Sequence, residues 1–343
     1  MKRARVAIVG LGMAVKPHAE SLRELVDLVE VAYAFSPSEE RRRAFAEQFD
    51  FPQTDSLPAI LDDASVQTVL LLTPPNTHLE LAQKCAAAGK HVLLEKPVEI
   101  TTERAERVVA ICRKAGVTLG INLQHRFRPS ALRLKEILAS GKLGGLAGAS
   151  VSVWNWRPQS YYDQPGRGDK LRDGGGVLLT QAIHTLDLFV WLAGMPEAVM
   201  GLATTSPIHR METEDLAGAV LRLPGGAIAS VSATTAAYPG FPERIALFCE
   251  NGSAVIVGTS LHVQYMDGTE ERFGAPIGQG GAGADPMAFP NEYHRALISD
   301  FLHAIAEERD PAIPGEEALK VHRVIDAILE SAQTGGMVRP VIS

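Results

Sequence analysis

The sequence predicts an α/β protein in which a doubly wound parallel sheet is followed by an α+β domain with a mainly antiparallel sheet. From residue 5 to residue 122, short apolar runs alternate with helix-like stretches, the pattern of a parallel sheet with right-handed crossovers. After residue 124 the strands follow one another with few helices between them. A chain of 343 residues is long enough for two domains. We place these domains at 1–122 and 123–343.

The first domain is predicted to consist of buried strands that alternate with helices. The strands are short apolar runs bounded by turn residues, and they lie at Val6–Val9, Val29–Ala34, Val66–Leu72, His91–Leu94 and Thr118–Ile121. The helices between them are expected at Pro17–Val26, Pro37–Phe49, His78–Ala88 and Thr102–Ala115. Thr101 stands where the N-cap residue of the last helix belongs.

The second domain is predicted to begin with an amphipathic helix and to continue as a sheet. The helix lies at Ala131–Ser140, and Gly141 ends it. The strands, separated by turn residues, are expected at Ala147–Trp154, Val199–Thr205, Leu216–Leu223, Ala227–Thr235, Arg244–Glu250, Ser253–Val257 and Leu261–Met266. Further helices are predicted at Gly176–Leu192, Glu292–Arg309 and Glu316–Ala332. The segment Gly274–Pro290 is expected to be a long irregular loop, either disordered or part of a site.

Composition and charge exclude several classes of partner. The chain carries 33 Lys+Arg against 40 Asp+Glu, a formal charge of −7, and no basic run that suits a nucleic-acid backbone. Its three cysteines show no zinc-ligand spacing, so we predict reduced core thiols and no metal site. No apolar run approaches the roughly 18 residues of a membrane span. Because the first strand and a glycine loop leave no room for a secretory apolar region, a cytoplasmic location is expected.

A glycine turn follows the first predicted strand and leads into a helix. Gly10 permits a tight turn, and Gly12 lets backbone amides approach a pyrophosphate at the helix N-terminus. The third glycine of this fingerprint is replaced by Val15, so the alternative is an ordinary glycine turn. Since the turn opens a strand–helix alternation, we predict a Rossmann domain that binds a nicotinamide cofactor through Gly10, Leu11, Gly12, Met13 and Ala14.

The end of the second predicted strand indicates which nicotinamide cofactor is preferred. An NAD site usually offers Asp or Glu there to the ribose hydroxyls, and this sequence has no carboxylate at that point. The hydroxyl of Ser36 and the guanidinium of Arg41 or Arg42 suit a 2′-phosphate instead. The alternative is a solvated helical turn with scattered charges. We therefore predict that NADP is preferred and that NAD is possible.

Two further segments follow predicted strands at the carboxyl edge of the sheet, where open parallel sheets bind ligands. In the first, Thr73, Pro74 and Asn76 are expected to wall the nicotinamide ribose, and the alternative is a proline-rich turn capped by the asparagine. In the second, Glu95 and Lys96 follow two leucines. The lysine ammonium suits stabilisation of negative charge on a substrate oxygen, with the glutamate as counter-ion. The alternative is a surface salt bridge.

A glycine-led helix carries the candidate acid–base group. Thr180, His184 and Asp187 are spaced by four and three residues, which places them on one face of an α-helix. An imidazole titrates near neutral pH and suits proton transfer to and from a secondary alcohol. The alternative is a buried histidine whose ring is satisfied by Asp187.

Aromatic and arginine residues accompany these segments. Arg126, Trp156 and Arg167 are candidates for binding a polyhydroxylated or anionic ligand, since aromatic faces and guanidinium groups suit such ligands. The alternative is a half-buried aromatic strand edge.

Together these residues resemble the Gfo/Idh/MocA family, which is named after glucose–fructose oxidoreductase, inositol dehydrogenase and a rhizopine-catabolism protein. The resemblance spans the glycine loop, Pro74–His78, Glu95–Pro97, the helix with His184 and the segment Glu316–Gly335. It implies a Rossmann domain, a C-terminal domain whose open sheet makes oligomer contacts, and oxidation or reduction of a sugar-like substrate. It also adds His78 and Gln124 to the expected cofactor site.

The same resemblance implies roles for individual residues. Lys96 matches the family lysine that orients the reacting oxygen, and His184 matches the family acid–base residue. Thr180 stands where the family often has Asp, and with Gln181 it is similar to the subgroup that acts on nucleotide sugars. We keep Thr180 as a catalytic candidate and Gln181 as a substrate-binding one.

The predicted function is NAD(P)-dependent interconversion of a secondary alcohol and a ketone on a sugar, polyol or nucleotide sugar, by a homodimer or homotetramer. One alternative is an NAD-dependent glycosidase of the same fold, which oxidises and re-reduces its substrate without net NADH. Another is a catalytically inactive cofactor-binding regulator, since fold alone does not fix function. Whether a carboxylate such as Asp169 or Asp173 enters the site is also open from the sequence.

Overall fold

A computed structural model describes residues 3–274 and 291–341, and these residues form two compact units. Residues 3–124 and 291–319 make the first unit, and residues 125–274 and 320–341 make the second. The first change of unit therefore follows residue 124, against the predicted boundary after residue 122. The stretch 291–319, which the sequence pattern assigns to the second domain, joins the first because its helix packs on the helix after the glycine turn. The predicted loop Gly274–Pro290 lies, beyond residue 274, outside the described residues.

The first unit is built on a parallel sheet of six strands in the order β3-β2-β1-β4-β5-β6. Its strands are β1 Ala4–Val9, β2 Val29–Phe35, β3 Gln53–Thr54, β4 Thr68–Leu71, β5 His91–Leu94 and β6 Leu119–Ile121. Every residue of β4 is buried, as expected of a parallel sheet that is covered on both faces. The doubly wound parallel sheet is thus confirmed. Its order reverses between β1 and β4, and open sheets bind ligands at the carboxyl ends of strands beside such a reversal.

Local signals set the helix bounds of this unit. The helices are α1 Val15–Glu24, α2 Glu39–Ala46, α3 Leu57–Asp62, α4 His78–Ala87, α5 Thr102–Ala115 and, later in the chain, α9 Glu292–Ala306. The range of α5 matches its prediction, because the hydroxyl of Thr101 accepts from an amide of the first turn and Gly116 ends the helix with a left-handed backbone. The sequence pattern does not predict β3 or α3, since two and six residues are too few to show a periodicity.

The second unit contains an eight-stranded sheet in the order β14-β13-β12-β11-β7-β10-β9-β8. Its strands are β7 Leu146–Trp154, β8 Ala198–Thr204, β9 Leu216–Arg222, β10 Ile228–Thr234, β11 Arg244–Cys249, β12 Gly252–Val257, β13 Ser260–Tyr265 and β14 Glu270–Phe273. Strands β7 and β10 pair in parallel, and the other pairs of the described sheet are antiparallel. The mainly antiparallel sheet is therefore confirmed.

One face of this second sheet is buried and the other is exposed. In β9, exposed and buried residues alternate along the strand, the pattern of a sheet with one face on the core. The helices are α6 Pro129–Ala139, α7 Gln159–Tyr162, α8 Ile183–Ala193 and α10 Gly315–Thr334, and the division between the units falls within α10. Helix α8 packs on β7 and β11. Within residues 3–274 and 291–341, no helix has the length and apolar character needed to cross a membrane.

Candidate active site

The turn after β1 has the backbone conformation and the space that a pyrophosphate requires. Gly10 has a φ of 107°, and a Cβ on it would lie 2.8 Å from the carbonyl carbon of Leu72. At Gly12 a Cβ would meet nothing within 4 Å, so the space beside the turn is open. Helix α1 begins without a side-chain cap and without an acidic residue in its first turn, so its amides suit an anion. These features fit the phosphates of a nicotinamide cofactor.

The other residues predicted around this turn have different environments. Leu11 is buried, Met13 is half-exposed, and Ala14 is the N-cap residue of α1. Gln124, the last residue of the N-terminal part of the first unit, is buried, and its side-chain oxygen has no hydrogen-bond partner among the described residues. A buried amide oxygen of this kind fits a site that receives a polar ligand.

The end of β2 is organised by a serine and an arginine. The side chain of Ser36 is almost fully buried, and its carbonyl oxygen accepts a hydrogen bond from Nη1 of Arg42 at 2.5 Å. Arg41 lies in the first turn of α2, where its amide donates to Oγ of Ser38 and its side chain is exposed. The structure therefore holds Arg42 at the strand end and leaves Arg41 on the surface of the first helical turn.

The segment after β4 forms a short turn that is tied to the segment after β5. Oγ1 of Thr77 lies 2.7 Å from Oγ1 of Thr73, and Thr77 rather than Asn76 is the N-cap residue of α4. The ring of His78 is fully buried, with Nε2 2.9 Å from the carbonyl oxygen of Thr73 and Nδ1 3.1 Å from that of Pro97. Burial holds the pKa of His78 below its ordinary value. His78 thus connects the two segments.

A buried carboxylate anchors the backbone of Lys96. Oε1 of Glu95 accepts from Nε2 of His18 at 2.7 Å and from Nδ2 of Asn122 at 2.5 Å, and Oε2 accepts from the amide of Lys96 at 2.9 Å. The peptide bond between Lys96 and Pro97 is cis. Since Glu95 is buried, the alternative of a surface salt bridge is excluded for its carboxylate.

The environment of Glu95 keeps it ionised. Burial by itself would raise the pKa of this carboxyl, because desolvation disfavours the charged form. The hydrogen bond from His18, together with the positive charges of His18 and Lys96, outweighs burial and holds the pKa far below the ordinary value of 4.5. The first unit therefore presents a fixed negative charge directly beside the lysine.

The helix with His184 begins with an irregular turn. Residues Leu178–Ala182 are π-helical, and α8 follows at Ile183. The expectation that Thr180, His184 and Asp187 share one face stays a prediction, and Thr180 lies in the π-turn while His184 and Asp187 lie in α8. The hydroxyl of Thr180 donates to the carbonyl oxygen of Gly176 at 2.7 Å. Single π-turns within helices are frequent at functional sites.

The side chains of His184 and Asp187 on this helix each contact a neighbouring side chain. The ring of His184 stacks on that of His125, with centroids 4.7 Å apart. The carboxylate of Asp187 accepts two hydrogen bonds from the guanidinium of Arg126, and both side chains are buried. Arg126, which the sequence suggests as a substrate ligand, is therefore engaged by an aspartate within the second unit.

A second group of polar side chains in this unit includes residues that the sequence predicts to bind substrate. Nη2 of Arg157 donates to Oε1 of Gln181 at 3.0 Å, and the amide of Gln181 donates to the hydroxyl of Tyr161 at 3.3 Å. The guanidinium of Arg167 lies over the Tyr161 ring, 5.0 Å from its centroid. The ring of Trp156 is half-buried and perpendicular to that of Tyr238, with centroids 5.5 Å apart. The structure thus brings Arg167 and Gln181 together through Tyr161.

Two family models match this chain. The model described as the oxidoreductase family, NAD-binding Rossmann fold, matches residues 4–123, and the model described as the GFO/IDH/MocA C-terminal domain matches residues 131–255. The chain belongs to the Gfo/Idh/MocA family. As a member of it, the protein is an NAD(P)-dependent oxidoreductase of the dehydrogenase/reductase type.

Several relatives of this Gfo/Idh/MocA protein have named activities. It is 27% identical over 323 residues to myo-inositol 2-dehydrogenase of Thermotoga maritima, with 91% of each chain covered. It is 27% identical over 317 residues to D-xylose 1-dehydrogenase (NADP(+)) 2 of Haloferax volcanii, with 90% of this chain and 91% of that one covered. The WlbA dehydrogenase from Bordetella pertussis, solved with NADH and UDP-GlcNAcA, matches with a TM-score of 0.85, 27% identity and 100% of both chains covered.

Sequence reasoning missed several polar residues of this Gfo/Idh/MocA protein. His18, Asn122 and His294 surround Glu95 in the first unit, and Arg157 and Tyr161 join Gln181 in the second. Polar residues after a strand, such as Asn122, are a readable signal. His18 and His294 lie within amphipathic helices, where a single buried histidine looks like ordinary core.

Proposed function

We propose that this Gfo/Idh/MocA enzyme interconverts a secondary alcohol and a ketone on a sugar, polyol or nucleotide sugar, with Lys96 and His184 as its catalytic residues. The observation that carries the proposal is the anchoring of Lys96, whose backbone amide is bound by a buried, ionised carboxylate after β5. Such anchoring restricts where the ammonium group can lie. Restricting the ammonium in this way favours its contact with the reacting oxygen of the substrate.

Each proposed residue has one chemical task. In the oxidation direction Lys96 donates a hydrogen bond to the reacting oxygen and stabilises its developing negative charge. His184 accepts the proton of the alcohol, and returns it in the reduction direction. The nicotinamide cofactor supplies the acceptor or donor for the hydride on carbon. The hydroxyl of Thr180 donates to the carbonyl oxygen of Gly176, so Thr180 is not proposed as a proton donor to the substrate.

The first unit holds the cofactor in this proposal, with NADP preferred over NAD. The open space at Gly12 and the uncapped start of α1 suit the pyrophosphate. At the end of β2, the absence of a carboxylate, the buried Ser36 and the exposed guanidinium of Arg41 favour a 2′-phosphate. Gln124 offers its buried amide oxygen, and Thr73 lies at the carboxyl edge of the sheet.

The second unit recognises the substrate in this proposal. The group formed by Arg157, Tyr161, Arg167 and Gln181 combines guanidinium, amide and phenol donors. Such donors suit the hydroxyl and carboxylate oxygens of a carbohydrate. The WlbA dehydrogenase, a relative of similar length, has been solved with UDP-GlcNAcA, which supports the inclusion of nucleotide sugars.

The enzyme is proposed to form a homodimer or homotetramer through the exposed face of its second sheet. Strand register places several exposed apolar side chains on this face, namely Trp154, Met200, Leu202, Leu216, Val220, Ile228 and Phe248. An apolar patch that spans five adjacent strands is unusual on the surface of a monomer. A second copy of the same chain covers it by symmetry.

The experiment that tests the function is a panel of sugars, sugar acids, polyols and nucleotide sugars, each assayed with NADP and NAD by the absorbance of the reduced cofactor. With the best substrate, Lys96→Met should lower kcat by about 10²–10³-fold, the usual cost of losing a group that stabilises an oxyanion. The Kd of the Lys96→Met variant for NADPH should change by less than about three-fold, because Lys96 is proposed to stabilise the transition state and not to bind the cofactor.

The matched control is Lys114→Met, which removes an exposed ammonium from α5 and should leave kcat unchanged. His184→Asn should lower kcat by about 10²–10⁴-fold. Near-normal turnover of Lys96→Met with tight cofactor binding would overturn the assignment. Release of an aglycone without net production of NADPH or NADH would show that the enzyme is a glycosidase and not a dehydrogenase.

A further inference from the structure

Four buried polar side chains meet next to Lys96 in the first unit. They come from four elements, with His18 on α1, Glu95 after β5, Asn122 after β6 and His294 on α9. His18 is fully buried and Asn122 almost so. The rings of His18 and His294 meet edge to face, with centroids 4.9 Å apart. None of the three neighbours of Glu95 has a task in the proposed reaction.

The hydrogen bonds of this cluster centre on one carboxylate, and Nδ2 of Asn122 also lies 3.3 Å from Nε2 of His18. An ionised carboxylate only accepts hydrogen bonds, so Nε2 of His18 carries a proton and donates it to Oε1 of Glu95 at 2.7 Å. The amide nitrogen of Asn122 donates to the same oxygen. The other oxygen of Glu95 accepts from the backbone amide of Lys96. The two buried donors therefore hold the carboxylate of Glu95 in place, and the carboxylate in turn holds the backbone amide of Lys96.

We infer that His18 is a positioning residue for the proposed reaction: with Asn122 it fixes the carboxylate of Glu95, and that carboxylate fixes Lys96. The inference rests on the proposed role of Lys96. Without the donors, the carboxylate of Glu95 would be buried without compensation, and it would turn towards other partners. Lys96 would then lose both its backbone anchor and a fixed negative neighbour. The ammonium would contact the substrate oxygen in a smaller fraction of the enzyme molecules.

The hydrogen bonds of this cluster disfavour a metal ion between its side chains. His18, Glu95 and His294 are potential ligands whose donor atoms lie within 4.8 Å of one another. Oε1 of Glu95, however, already accepts two N–H groups, which occupy the positions that a cation needs. The ammonium of Lys96 also acts on both Glu95 and His294, and it repels a cation placed between them.

A double-mutant cycle tests the inference. His18→Leu should lower kcat by about 10–100-fold, the usual effect of removing a group that orients a functional residue. His18→Gln should recover most of this loss, because its amide can donate to Glu95. In the Lys96→Met background, His18→Leu should change kcat by less than about two-fold, since residues that act as one unit are not additive.

A matched control is His91→Leu at the other end of β5, where the ring accepts a hydrogen bond from the amide of Thr118. It removes an imidazole from the same strand and should leave kcat unchanged. The Kd for NADPH and the Tm of every variant are measured alongside. If His18→Leu fails to fold, Asn122→Ala takes its place in the cycle, because it removes the other side-chain donor to Oε1 of Glu95.

The outcomes separate this inference from the proposed function. If Lys96→Met keeps normal turnover, the function itself fails. If Lys96→Met lowers kcat, and His18→Leu lowers kcat by the same factor in the wild type and in the Lys96→Met background, the proposed function stands. The positioning role of His18 is then wrong. Elemental analysis that finds a stoichiometric metal lost on His18→Leu also overturns the positioning role.

Discussion

Arg126 and Asp187 form a buried ion pair in the second unit, joined by hydrogen bonds of 2.8 Å from Nε to Oδ2 and 2.6 Å from Nη2 to Oδ1. The guanidinium also lies over the ring of Trp191, 5.7 Å from its centroid. Asp187 is three residues beyond His184 on α8. The pair therefore anchors the part of the helix that carries the proposed acid–base residue.

Arg126→Met should destabilise the protein by about 3–5 kcal/mol, because it leaves the buried carboxylate of Asp187 without its cation. The double variant Arg126→Met/Asp187→Leu should recover most of this loss, since an apolar pair often replaces a buried ion pair at little cost. Urea unfolding measures both effects. Arg133→Met, which removes a half-exposed arginine from α6, is the control and should cost less than about 1 kcal/mol. Equal stability of Arg126→Met and the wild type would contradict the argument.

His294 should make the stability of the protein depend on pH below neutrality. Burial, with the charges of His18 and Lys96, lowers its pKa from 6.5 to about 3. As pH falls below 6.5, the unfolded chain binds a proton at this residue and the folded chain does not, so stability is lost. His294→Phe keeps an aromatic ring beside His18 and removes the titration.

The measurement is Tm at intervals between about pH 7 and pH 4.5, a window that lies above the ordinary carboxyl pKa values. The wild type should lose more stability across this window than His294→Phe. Part of the slope should persist in the variant, because burial also lowers the pKa of His322 to about 4. Parallel curves for the two proteins would show that His294 titrates normally in the folded state.

The sequence predicts best those features that depend on neighbouring residues. The range of α5 follows from Thr101 and Gly116, which are adjacent to its ends. The glycine turn after β1 is equally local, because Gly10 adopts a φ that other residues rarely take. The parallel sheet was predictable because its buried strands are continuous apolar runs.

Features that depend on distant parts of the chain were not predictable in this way. His18 meets His294 only because α9 returns to the first unit, and a periodicity does not show which helices will pack together. The π-turn at Leu178–Ala182 has the same apolar pattern as an α-helix, so the sequence does not reveal it. The pairing of Arg126 with Asp187 is likewise a tertiary contact.

The preference for NADP should depend on Ser36 and Arg41. Arg41→Ala should raise KM for NADP by about ten-fold, the loss of one charge-assisted contact, and leave KM for NAD unchanged. Ser36→Asp should reverse the preference, because a carboxylate at the end of β2 accepts from ribose hydroxyls and repels a 2′-phosphate. Steady-state kinetics with both cofactors measures the ratio of kcat/KM values. Arg43→Ala, which removes an exposed arginine of the same helix, is the control. A higher kcat/KM for NAD in the wild type would overturn the preference.

Alanine at the two glycines of the first turn should separate folding from cofactor binding. Gly10→Ala places a Cβ 2.8 Å from the backbone of Leu72 at a φ of 107°, so it should cost at least about 1–3 kcal/mol of stability. Gly12→Ala meets nothing within 4 Å in the protein alone, so its Tm should stay close to that of the wild type.

Gly12→Ala should nevertheless raise the Kd for NADPH by about ten-fold or more, because the new methyl group enters the space through which backbone amides reach the pyrophosphate. Thermal unfolding and fluorescence titration measure the two quantities on the same samples. The informative result is the contrast, with Gly10→Ala losing stability and Gly12→Ala losing affinity. If Gly12→Ala bound NADPH as tightly as the wild type, the open space at this turn would not be where the phosphates bind.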